Sequence, residues 1–106
     1  MRNLNSRTRC NMRIEASDIS KSIDVLREYG ADRVWLFGSA LQTPEDAGDL
    51  DLACEGVPAD RFYRALGQLG VALGKPVDLV DLSRDSRLTR YIRSKGRLLY
   101  DAGRSI

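Results

Sequence analysis

Histidine is missing altogether from this 106-residue sequence. Its absence removes histidine-based zinc sites and the Ser-His and Cys-His nucleophile pairs. Cysteine is scarce: Cys10 and Cys54 stand in unrelated contexts without metal-ligand spacing, and reduced thiols in a cytoplasmic protein are the expectation. No apolar run approaches the roughly 20 residues that a membrane-spanning helix needs. The opening MRNLNSRTRCNMR has no apolar core of the kind a secretory signal carries, so no targeting segment is expected. Internal repeats, linkers and low-complexity tracts are also lacking.

What is there has the balance of an ordinary globular protein, with 42% apolar and 30% charged residues. The length suits one hydrophobic core and is too short for two. The net charge of +2 is unevenly spread. Residues 1–13 hold Arg2, Arg7, Arg9 and Arg13 with no acid, which leaves 13 basic and 15 acidic residues in the remainder. We expect residues 1–13 to be a disordered basic tail and 14–106 to form a single domain. Contact of that tail with nucleic acid or an acidic partner is the alternative.

From Ser17, a plausible N-cap, the apolar positions Ile19, Ile23 and Leu26 step at helical intervals and stop at Gly30. Arg33 to Phe37 is rich in aromatic and branched residues and reads as a strand ended by Gly38. Ala40 to Gly48 starts as a short helix and breaks at Thr43-Pro44-Glu45-Asp46. A second strand covers Asp49 to Cys54. Pro58 opens a second helix striped by Phe62, Leu66, Leu69 and Leu73 and closed by Gly74. Pro76 to Leu82 is a third strand. A third helix, Ser86 to Lys95, carries Leu88, Tyr91 and Ile92 on its apolar side and stops at Gly96. Leu98-Leu99-Tyr100 is an edge strand or an extended tail. This order predicts an α/β (α+β) fold, a small mixed sheet with helices packed on it. Trp35 and Phe37 are expected in the core, and Tyr63 and Tyr91 are read as helix-packing residues.

The chemistry concentrates in LFGSALQTPEDAGDLDLACEG, residues 36–56. Strand alternation sends Asp49 and Asp51 to one face and Leu50 and Leu52 to the other. Two ionised carboxylates on one face repel, and a divalent cation with oxygen ligands such as Mg²⁺ would reverse that repulsion. Gly38 permits a sharp turn and a close approach. Ser39 adds a hydroxyl and, at the start of a helix, free N–H groups suited to a phosphate. A third acid, Asp78, lies within the apolar strand VDLVDL and is a candidate base or further metal ligand. Asp81, near the strand end, reads as a turn or capping residue.

FGSA, then GDLDLACEG, then PVDLVDL resembles the signature of the nucleotidyltransferase (polymerase beta-like) superfamily, hG[GS] followed by DhDh and a later strand aspartate. The compact length is similar to that of the minimal nucleotidyltransferases, the MNT proteins, which are commonly antitoxins paired with HEPN-domain toxins. The resemblance implies Gly38 and Ser39 at a nucleotide triphosphate. It implies Asp49, Asp51 and Asp78 as catalytic acids and ligands of Mg²⁺, two ions in all, with ATP as substrate. The implied reaction transfers AMP to a tyrosine hydroxyl of a cognate HEPN toxin, with a hetero-oligomer as the possible assembly. Many relatives read GSxARG, whereas this chain has Gly38-Ser39-Ala40-Leu41-Gln42-Thr43 without an arginine. Neutralisation of the leaving pyrophosphate then falls to other cations, with Arg87 or Arg90 the candidates. Three alternatives stay open: a non-catalytic module that neutralises its partner by binding, a transferase for a small molecule such as an aminoglycoside, and a tail-driven nucleic-acid binder.

Overall fold

The helix-period pattern after residue 15 folds as α1, Ala16–Glu28. A computed structural model describes residues 15–38 and 50–103. The Asp18 carboxylate accepts the free Glu15 N–H at 2.8 Å, so the cap lies two residues before Ser17. Val25 and Leu26 face inward, and Gly30 ends the helix at a φ of 100°. Strand β1, Arg33–Phe37, follows, then β2, Leu50–Glu55. Pro58 caps α2, Ala59–Leu73, and Gly74 closes it in the left-handed conformation. Strand β3, Val77–Asp81, leads to α3, Arg87–Lys95, whose Ser86 side chain accepts the Thr89 N–H at 3.1 Å. Strand β4, Arg97–Asp101, makes the predicted edge strand real.

The four strands form one mixed sheet in the order β3-β2-β1-β4. Strand β1 is antiparallel to both β2 and β4, while β2 and β3 are parallel. A parallel pair needs a crossover, and α2 supplies it. Helices α1 and α2 cover one face, burying Leu26, Val34, Leu36, Leu50, Leu52 and Leu69 in the larger core. Helix α3 covers the other, where Trp35, Ala53, Leu82 and Ile92 form a second cluster joined by Phe37 and Val80. The mixed sheet with three helices among the described residues is the architecture read from the sequence.

Three side chains depart from expectation. Tyr63 is 79% exposed, Tyr91 55% and Leu88 48%, so none serves as a packing residue. Phe62 and Ile92 take the inward positions, and a residue one step along a helix points about 100° away. The basic segment 1–13 and the turn-type segment 40–48 lie outside the described residues. None of the helices described is long and apolar enough to cross a membrane.

Candidate active site

Strand register arranges the α3-covered face into rows. The middle row is Trp35, Ala53 and Val80, paired across β1, β2 and β3 and sitting in the cluster that Ile92 completes. One row towards the start of β2 stand Phe37, Asp51 and Asp78. One row the other way stand Arg33 and Glu55. Residues that pair directly across strands share a face, so Asp51 and Asp78 project side by side from adjacent parallel strands. Leu50 and Leu52 are buried on the opposite face, as alternation requires. Asp51 is half-buried and Asp78 is exposed.

Gly38 closes one end of that row. Its φ is 78°, and a Cβ placed there would lie 2.1 Å from Oδ2 of Asp51 and 2.9 Å from its Cγ. Only a residue without a side chain lets the chain turn here while Asp51 keeps its position. The two other residues singled out for this site, Ser39 and Asp49, lie outside the described residues. Gly38, Asp51 and Asp78 are therefore the members that the structure brings together.

Two carboxylates on strands about 4.8 Å apart repel when both are ionised. Such a pair is an all-oxygen donor set, which suits a hard divalent cation. A cluster of three or more metal-ligating side chains is not found among the described residues, from which Asp49 is absent.

The neighbouring acids have other work. Asp81 accepts the Ser83 N–H at 2.9 Å and shapes the turn after β3, matching the role expected of it. It pairs in register with Cys54, whose thiol is pushed up to about 12 by burial and then by the charges of Asp81 and Glu55. Glu55 accepts from Arg33 at 2.7 Å and from Arg93 at 2.5 Å. The hydrogen bond that Arg33 donates to Glu55, then the charge of Asp101, raises the Arg33 pKa. Of the two arginines suggested for pyrophosphate, Arg90 is engaged with Asp85 at 3.0 Å. An open groove of about 660 Å³ runs beside β3, lined by Phe62, Tyr63, Asp81 and Leu88 among others. Gly38, Asp51 and Asp78 are not among the residues that line it.

No family model matches the sequence, and no curated protein matches it closely. Solved structures do match. One is a chain of the toxin–antitoxin complex MntA–HepT, with a TM-score of 0.65 and 25% identity over 82% of this chain and 73% of that one. A toxin–antitoxin structure with AMP-PNP gives a TM-score of 0.67 and 28% identity over 78% of this chain and 73% of that one. The chain has the fold of the MNT antitoxins. A third match is a tri-AMPylated HEPN toxin in complex with its MNT antitoxin from Shewanella oneidensis. Its TM-score is 0.64 at 26% identity, over 80% of this chain and 71% of that one. The resemblance carried by FGSA, GDLDLACEG and PVDLVDL is thus borne out, and the MNT fold extends over most of the described chain.

Proposed function

We propose that the chain is a Mg²⁺-dependent nucleotidyltransferase that moves AMP from ATP to a tyrosine hydroxyl of a cognate HEPN toxin, and acts in the cytoplasm as its antitoxin. One observation carries this reading: Asp51 and Asp78 stand in register on one face, with Gly38 packed against Asp51. The AMP-PNP-bound and tri-AMPylated MNT–HEPN neighbours support it.

The donor set suits Mg²⁺, which Asp49, Asp51 and Asp78 would hold. When bound, it offsets the carboxylate charge and takes phosphate oxygens as further ligands. The chain's own residues have distinct tasks. Gly38 leaves room for the Asp51 carboxylate as the chain turns towards the triphosphate, and Ser39 offers a hydroxyl and a backbone N–H to it. Asp78, the exposed member of the pair, accepts the proton of the attacking tyrosine hydroxyl. The oxygen bonds to the α-phosphorus, the bond to the bridging oxygen breaks, and pyrophosphate leaves.

The test is incubation with the cognate HEPN partner, Mg²⁺ and ATP labelled at the α-phosphate. Label is expected on a partner tyrosine, falling at least about a hundredfold in Asp51→Asn and in Asp78→Asn. The second reading, neutralisation by binding alone, is favoured by the missing arginine in Gly38 to Thr43. It predicts that both variants still silence the toxin and that no label moves.

A further inference from the structure

Helix α3 crosses the sheet instead of running along it. Its first turn joins the end of β3, and its last residue leads to Gly96, where a Cβ would lie 3.1 Å from the Leu36 carbonyl of β1. Nine helical residues span about 13.5 Å, close to the roughly 14 Å from β3 to β4 across three strand spacings. A helix lying across the strands presents one flank to each end of the sheet.

Which flank faces which end is fixed by Arg93. Ile92 points into the sheet over the middle row. Arg93, about 100° round the helix, donates to Glu55 and to the Leu82 carbonyl at the end of β2 and β3. The opposite flank carries Leu88, Tyr91 and Lys95, at positions i, i+3 and i+7. It must face the other outer row, which is Phe37, Asp51 and Asp78.

That flank is oddly built for a surface beside carboxylates. Tyr91 is 55% exposed and Leu88 48%, side by side. Lys95 is exposed and makes no ion pair among the described residues, whereas Arg33, Lys75, Arg90 and Arg93 all do. The first loop supplies no arginine after Gly38-Ser39. An aromatic ring, an aliphatic neighbour and an ammonium with no ion pair among the described residues, on the flank turned to the carboxylate row, suit the parts of a nucleoside triphosphate.

We propose that the Leu88–Tyr91–Lys95 flank of α3 is the nucleotide-recognition wall of this site. Tyr91 stacks on the base, Leu88 supports the stack, and Lys95 takes negative charge from the phosphate chain. The proposal rests on the nucleotidyltransferase reading above. It replaces Arg87 and Arg90 with Lys95 as the cation serving the phosphates, because Arg90 is held by Asp85 and both sit on the outward side of α3, away from Ile92.

The test measures equilibrium binding of AMP-PNP, AMP and inorganic tripolyphosphate, each with Mg²⁺, to the full chain and to Tyr91→Ala, Lys95→Ala and Tyr63→Ala. Base–aromatic stacking is worth about 1–3 kcal/mol, so Tyr91→Ala should weaken AMP-PNP and AMP about 5- to 150-fold and leave tripolyphosphate unchanged. Lys95→Ala should weaken AMP-PNP and tripolyphosphate while sparing AMP. Tyr63→Ala, on another helix, should change none of them. If the unaltered protein binds AMP-PNP and both α3 variants bind it equally well, this inference is wrong and the proposed function stands. If the unaltered protein binds no nucleotide, both are overturned.

Discussion

The carboxylate of Asp51 fills the space that a side chain at residue 38 would need: a Cβ on Gly38 would come within 2.1 Å of Oδ2. The glycine that ends β1 and the aspartate opposite Phe37 are therefore one structural unit, although thirteen positions separate them in the chain. The positive φ of Gly38 adds a second reason for glycine.

That unit makes Gly38→Ala a sharp probe. The overlap and the φ of 78° together should cost about 3 kcal/mol in denaturant unfolding. Combining Gly38→Ala with Asp51→Gly should recover about 1–2 kcal/mol by removing the overlap, while nucleotide transfer stays abolished. A double variant no more stable than the single one would show that the overlap is not what makes Gly38→Ala costly.

The facing carboxylates predict a trade between stability and metal response. Asp78→Asn removes one of two like charges in register and should stabilise the metal-free protein by about 0.5 kcal/mol. Added Mg²⁺ should raise the thermal midpoint of the unaltered protein by mass action and leave that of Asp78→Asn nearly fixed. Thermal scans at several Mg²⁺ concentrations check both.

Two ion pairs of different burial should behave differently. Asp18 is 5% exposed, pairs with Lys75 just before β3, and accepts the Glu15 N–H. Asp18→Asn is expected to cost ~3 kcal/mol, because it disturbs a buried charge pair. Asp85 and Arg90 are both largely exposed, so Asp85→Asn should change stability by no more than about 0.5 kcal/mol. Urea titrations of both variants give the comparison.

Cys54 sets a pH dependence at the alkaline side. Its thiol sits at about 12 in the fold, chiefly through burial, against about 8.5 in an unfolded chain. Between those values the unfolded chain gives up the thiol proton and the folded chain keeps it. Stability is then full below about pH 8.5 and falls as pH rises towards 12. Cys54→Ala should flatten that fall. In a Cys10→Ser background, Cys54 should resist alkylation at pH 8 until the protein is unfolded.

Much of the fold was legible in the chain because its signals are local. Helical spacing, Gly30, Pro58, Gly74 and Gly96 set the ends of the helices to within about two residues. Alternation alone separated Asp51 from Leu50 and Leu52. Ser17 was passed over as a cap because Asp18 could reach back to Glu15, a contact made by the folded turn. Tyr63 and Tyr91 read as packing residues because an aromatic beside an apolar stripe looks the same whether it points in or 100° away.

By itself the sequence determined the elements, their order, the strand faces and the Gly-Ser, DLD and VDL motifs, since each depends on spacing along a few residues. Tertiary structure decided that β2 and β3 run parallel with Asp51 opposite Asp78, that Asp51 lies against Gly38, and that Ile92 of α3 packs on Trp35 and Ala53 while Tyr91 stays exposed. Those relationships are contacts across strands and layers. They follow from which register and crossing angle bury Trp35, Ala53, Val80 and Ile92 together, and no stretch of the chain carries that information alone.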